Sequence, residues 1–223
     1  VSIPQHQGDL DIQFQVHKRL EHPIFNIVKR SMDLCGSIIA MVIISPILIA
    51  LCVLIKLEDW HAPIIYKQIR IGKDGRPFEM YKLRSMIRNA EEKQQELLHR
   101  NEIQGAMFKM KNDPRVTSVG RFIRKTSMDE LPQLVNVLKG EMSLVGPRPP
   151  LPREVHEYTS YDMQRLTVIP GCTGLWQVSG RNRLGFKEMV ELDLRYIEKR
   201  SILLDIFILL RTFRVLIGSK DAY

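Results

Sequence analysis

The chain has 223 residues and a formal net charge of +8, with basic side chains gathered around one long apolar run rather than in a terminal tail. Cys35, Cys52 and Cys172 are too few and too scattered for a disulfide framework or a C-x-x-C metal site, so free thiols in a reducing compartment are expected. The positive charge requires an anionic partner, which can be a lipid surface, a phosphorylated substrate or nucleic acid; no helix-turn-helix, zinc-finger or aromatic RNA-binding pattern is present, and the apolar run favours the first two.

Residues 1–23 read as a polar N-terminal arm, and with no initiating methionine the chain is expected to belong to a longer protein. Leu34 to Ile55 then carry no charge, and as a straight helix would cover roughly 33 Å, enough for a bilayer core. Pro46 lies near the middle, lacks the N–H that would bond the Val42 carbonyl, and predicts a break there, with the Ser45 hydroxyl available to the freed oxygen. Two arms of about 17 Å suit a re-entrant helix hairpin over residues 24–58 that enters one leaflet and returns. Lys29 and Arg30 precede the run, and Lys56, Lys67, Arg70 and Lys73 follow it, so the positive-inside tendency places both flanks on the cytoplasmic face. A single span, a signal peptide and a buried core helix are the weaker alternatives.

Residues 59–223 read as the catalytic domain. Ile64 to Ile71 and Phe78 to Leu83 predict short strands around a Gly72-Lys73-Asp74-Gly75 turn, followed by a charged helix over 89–101 and a loop over 105–113. Leu131 to Leu138 predicts a helix closed by Gly140. The prolines of Leu144 to Pro150 make a rigid turn that either aims Arg148 or merely solvates it, and Pro170 to Arg181 reads as a glycine-rich loop that either closes over a nucleotide or packs on Trp176. Ile202 to Leu210, apolar but for Asp205 and flanked by basic residues, reads equally as an interfacial helix or as one packed on the core. Trp60, Tyr66 and Tyr81 could add interfacial anchoring.

The adjacent carboxylates Asp129 and Glu130 stand among cations, just before Pro132. Such a pair can divide phosphoryl transfer between a nucleophile and a metal ligand. It can equally be an N-cap and a first-turn acid at a proline-marked helix start, and on the local residues alone the cap is favoured. The apolar run and the basic surroundings turn the balance towards chemistry.

Taken in order, Lys29-Arg30 with Asp33, Ser45-Pro46, the run from Tyr81 to Met86, Asn112-Asp113-Pro114-Arg115, Asp129-Glu130-Leu131-Pro132-Gln133, Gly146-Pro147-Arg148-Pro149 and the run from Pro170 to Gln177 make the chain resemble the monotopic phosphoglycosyl transferases. These bacterial sugar transferases are also called polyprenyl-phosphate hexose-1-phosphate transferases. The resemblance extends from about Ile24 to Tyr223, is weakest from Glu91 to Lys111, and leans towards members that use UDP-galactose.

What the resemblance implies is an α+β, mainly helical protein: a re-entrant membrane hairpin, a catalytic domain on the cytoplasmic face of the bacterial inner membrane, and interfacial amphipathic helices. The implied reaction moves a hexose 1-phosphate from a UDP-sugar to undecaprenyl phosphate, releases UMP and starts a surface polysaccharide. Asp129 would be the covalent nucleophile, Glu130 the ligand of Mg²⁺, and Arg124 a phosphate contact, with Lys82, Arg84, Arg148 and Arg181 as further substrate-binding candidates. Membrane lipids are expected partners, nucleic acid is not, and a homodimer is left open. The competing reading is a noncatalytic basic scaffold at the membrane surface.

Overall fold

A long helix and a small α/β body make up the residues described by the computed structural model, 23–97, 110, 113–180 and 184–218. Helix α1 spans Pro23–Glu58, 36 residues or about 54 Å, and its helical backbone continues through Pro46. The expected break into two separate helices is thus corrected. The Ser45 hydroxyl donates to the Val42 carbonyl at 2.8 Å, partnering the acceptor that the proline orphans and letting the helix carry it. A buried core helix is ruled out as well: along α1 only Asp33, Ser37, Leu51 and Ile55 are buried, whereas Ile38, Ile39, Val42, Ile43, Ile47 and Ile49 are exposed. The helix is long and apolar enough to cross a membrane, and so much contiguous apolar surface calls for an apolar surrounding.

Both ends of α1 dock on the same body. Near its start, Lys29 Nζ lies 2.6 Å from Asp205 Oδ2, Arg30 donates to the Val137 and Leu138 carbonyls at 2.6 and 2.8 Å, and Asp33 accepts the Leu144 N–H at 3.0 Å. Near its end, Leu51 and Ile55 enter a core with Leu83 and Ile123, and Glu58 accepts the Ser118 N–H at 2.8 Å.

Strands β1 (Ile65–Ile71) and β2 (Pro77–Leu83) pair antiparallel, with Ile65 opposite Leu83 and Ile71 opposite Pro77. Their connection is the expected turn, with Asp74 and Gly75 at φ 56° and 75°, a left-handed region that aspartate tolerates and glycine enters freely. Helix α2 (Ala90–Leu97) begins where the charged helix was expected; its continuation, nearly all of the 105–113 loop, and the arm before residue 23 lie outside the described residues.

Helix α3 (Ser118–Lys125) is capped by Thr117, whose hydroxyl accepts the Gly120 N–H at 2.9 Å. Helix α4 (Gln133–Lys139) ends at Gly140 in the left-handed conformation, φ 85°, as expected from the sequence. The short strands β3 (Ser143–Val145) and β4 (Gly171–Thr173) then pair in parallel, with helices α5 (Pro152–Val155) and α6 (Ser160–Met163) in the connection. The reading of Leu144 to Pro150 and Pro170 to Arg181 as turn and loop alone is therefore corrected. Three-residue strands carry too little alternation to show in a sequence, and their pairing is a contact between distant segments. Gly171 permits it, since a Cβ there would lie 2.0 Å from the Gly146 nitrogen.

Helices α7 (Leu175–Ser179), α8 (Phe186–Lys199) and α9 (Ile202–Gly218) complete the body. Val145 and Val190, with Tyr196, Ile197 and Ile208, fill the core between them. The Tyr196 hydroxyl donates to Asp205 Oδ1 at 2.8 Å, so the carboxylate facing Lys29 is held from both sides.

Candidate active site

The carboxylate pair is presented by an unusual piece of backbone. Helix α3 closes with the Thr126 hydroxyl on the Phe122 carbonyl at 2.9 Å, and Ser127 then adopts φ 55°. A left-handed non-glycine residue is costly and persists where the surroundings hold it. It turns the chain into a 3-10 turn over Met128–Glu130, in which Met128 packs on the core containing Leu51 and Ile55. Asp129 and Glu130 thereby directly follow a side chain packed on the C-terminal part of α1. The capping alternative is not what the backbone does: Pro132 occupies the N-cap of α4, with no side-chain cap bond.

The two carboxyl groups sit in different environments. Glu130 is 46% exposed, and its Oε1 lies 2.8 Å from Nζ of Lys82, a residue that β2 places alongside and that is itself only 17% exposed. Withdrawal from water pushes the Glu130 carboxyl up, but Lys82, Arg148 and Arg70 outweigh it and hold the group below its ordinary value. Asp129 goes the other way. Burial pushes it up to about 6, opposed by Lys82 and Arg124 and reinforced by the charge of Glu130.

Arg148 owes its place to a buried residue that the sequence reading passed over. Arg70 is 4% exposed, donates to the Pro149 carbonyl at 3.0 Å and is steadied by Gln68 Oε1 at 2.7 Å, while the Ile71 N–H donates to the Pro150 carbonyl at 3.0 Å. Burial brings the Arg70 guanidinium down to about 10, with the like charge of Arg148 acting the same way. The strand pattern hid it: Gln68 and Arg70 alternate with Ile69 and Ile71 and so read as the solvent face, yet Arg70 is the buried one. Asn136 was missed too. Fully buried, it accepts the Tyr81 N–H at 3.0 Å and donates to the Glu79 carbonyl at 2.7 Å, so a side chain of α4 completes the edge of β2 and sets Lys82 against the carboxylates.

Of the residues expected in the site, Asp129, Glu130, Lys82, Arg124 and Arg148 come together. Arg84 does not join them. Its guanidinium donates to the Ile55 carbonyl at 2.9 Å and lies 3.5 Å from Asp59 Oδ2, closing the C-terminal end of α1. Arg181 lies outside the described residues.

The donor set suits Mg²⁺. The site offers two adjacent carboxylates, Asp129 and a partly open Glu130, as oxygen donors. That matches an ion that binds through one or two carboxylates, keeps waters and shares substrate phosphates.

Residues 24–219 match the bacterial sugar transferase family along most of the chain. The chain belongs to this family. Among its relatives, it is 48% identical over 197 residues to the galactosyl transferase CpsE of Streptococcus agalactiae serotype III (strain NEM316), a match covering 88% of this chain and 43% of that protein. Over 200 residues it is 46% identical to the undecaprenyl-phosphate galactose phosphotransferase of Salmonella typhimurium (strain LT2), covering 88% of this chain and 42% of that one. Over 205 residues it is 38% identical to the exopolysaccharide production protein ExoY of Rhizobium meliloti (strain 1021), with 90% of each chain covered. The sugar transferase chain thus spans less than half the length of the first two relatives.

Proposed function

We propose that this sugar transferase moves a hexose 1-phosphate from a UDP-sugar to undecaprenyl phosphate, releasing UMP and starting a lipid-linked surface polysaccharide. The observation that carries the reading is the placing of Asp129 and Glu130 side by side in one turn, with Lys82 Nζ 2.8 Å from Glu130 Oε1 and the adjoining Met128 packed on the core that holds Leu51 and Ile55 of α1. The names of two relatives, a galactosyl transferase and an undecaprenyl-phosphate galactose phosphotransferase, support the lipid acceptor and favour galactose as the hexose.

In the first step the Asp129 carboxylate attacks the phosphorus next to the sugar. The bond from that phosphorus to the oxygen bridging the two phosphates breaks, UMP departs with the bond's electron pair, and an acyl phosphate joins Asp129 to the sugar. A phosphate oxygen of the lipid then attacks the same phosphorus and returns Asp129 as a carboxylate. A carboxyl titrating at about 6 is still mostly ionised at neutral pH, yet more basic than an ordinary aspartate and so a better nucleophile. Lys82, Arg124 and Arg148 offset the repulsion between that anion and the donor diphosphate. Bound Mg²⁺, held by Glu130 with Asp129 beside it, would neutralise further phosphate charge.

We extend the proposal to the membrane. The docking of both α1 ends on one body, with exposed apolar residues between them, supports a re-entrant arrangement in which the helix bends inside one leaflet and both flanks stay at the cytoplasmic face of the bacterial inner membrane. Helix α9 supports a second contact. Its exposed Leu203, Ile206, Phe207, Leu210 and Phe213 recur at helical spacing, as on a helix lying in the interface.

The test is UMP release by purified protein with Mg²⁺, undecaprenyl phosphate and a panel of UDP-sugars. UDP-galactose is expected to give lipid-dependent UMP. Silence across the whole panel would overturn the reading.

A further inference from the structure

Away from the carboxylates, α7, α8 and α9 enclose a cleft of about 310 Å³. It is lined by the apolar Leu175, Leu192 and Leu204 and by the polar Ser179, Arg195 and Lys199. The volume reaches the lower end of the range for small-molecule sites. Arg195 and Lys199 stand one turn apart on α8, a spacing at which like charges repel, and among the described residues neither is ion-paired to an acid. The phosphate-handling site does not use them. The Ser179 hydroxyl donates to the Leu175 carbonyl at 2.7 Å, which leaves its lone pairs as acceptors.

The position of the cleft gives this charge a purpose. At 100° per residue, Leu204 lies on the flank of the apolar stripe of α9, next to Leu203, which is 80% exposed. Two turns further along the same flank is Arg211, whose guanidinium sits 4.9 Å from the Phe207 ring. An apolar stripe with cations at its edge matches a molecule that is apolar at one end and anionic at the other.

We propose that the cleft between α7, α8 and α9 binds the headgroup of an anionic glycerophospholipid, with Arg195 and Lys199 on its phosphate and its acyl chains along the α9 stripe. The assignment rests on α9 lying at the bilayer surface and is independent of the transfer chemistry. A bound lipid would hold α9 flat on the membrane and steady the body beneath the α1 arms.

The test uses the full chain in nanodiscs, with Leu203→Trp as a reporter at an exposed position and the signal of the native tryptophans subtracted. Quenching by brominated phosphatidylglycerol is compared with quenching by brominated phosphatidylcholine at the same low mole fraction. Two cations acting on one phosphate should enrich the anionic lipid roughly tenfold around the reporter. Arg195→Gln with Lys199→Gln should remove the preference and leave UMP release intact. Equal quenching by both lipids, or a preference that survives the double substitution, overturns the site. So would displacement of the anionic lipid by millimolar inorganic phosphate, which would mark a soluble-anion site. Absence of quenching by either lipid instead removes α9 from the bilayer surface, a failure distinct from any loss of transferase activity.

Discussion

Lys82 Nζ stands 2.8 Å from Glu130 Oε1, joining the second strand of the hairpin to the turn that carries both carboxylates. Neither side chain is fully withdrawn from water, so the pair contributes little to folding. In the proposed reaction its consequence is electrostatic, since it would let two acids share a small space with an incoming diphosphate. Lys82→Gln is therefore expected to lower kcat roughly a hundredfold, the scale of losing one preorganised group facing developing charge, and to leave Tm nearly unchanged. Steady-state UMP release read beside a thermal melt checks this; a large drop in Tm would mean that Lys82 is structural.

Asn136 makes the opposite prediction. Asn136→Ala would leave the Tyr81 N–H and the Glu79 carbonyl without their partners, and is expected to destabilise the fold by about 3 kcal/mol. Denaturant titration in detergent measures it. Activity should fall further than the folded fraction alone, since the same side chain sets Lys82 against the carboxylates.

These two residues show where the sequence was readable. The β1–β2 hairpin, the Gly140 stop and the apolar run of α1 are written locally, in turn glycines and in composition, and each appears where expected. Asn136 and Arg70 act through partners 55 and 79 positions away, and no local pattern separates such a side chain from an ordinary surface one. Arg84 was misread for the same reason, because its partner is the end of a helix 29 residues earlier. Pro46 was read correctly as a lost hydrogen bond, but the Ser45 hydroxyl that compensates it keeps the helix continuous. For Asp129 and Glu130 the local residues favoured a helix cap, and only company elsewhere in the chain favoured chemistry; the structure sets Lys82 beside Glu130 and leaves the cap of the following helix to Pro132.

The two ends of α1 are expected on a common side of the membrane. With Cys35, Cys52 and Cys172 replaced by alanine, Ser31→Cys and Leu57→Cys place a thiol at an exposed position on either side of the apolar stretch. Both are expected to react with an impermeant maleimide from the same face of sealed vesicles. Reaction from opposite faces would make α1 a single span.

Metal removal should stop the enzyme reversibly. A chelator is expected to abolish UMP release and added Mg²⁺ to restore it. Glu130→Gln should sharply weaken the response to Mg²⁺ at unchanged Tm, since the side chain is nearly half exposed. Full turnover in chelator would remove the metal from the account.

The most direct test concerns Asp129 itself. Donor without lipid should release UMP in an amount close to that of enzyme, and mass spectrometry of rapidly quenched protein should find a hexose-phosphate adduct on the peptide carrying Asp129. The adduct should vanish on adding undecaprenyl phosphate and never form in Asp129→Asn. Normal turnover by that variant, or an adduct on any other residue, would contradict the role given to Asp129.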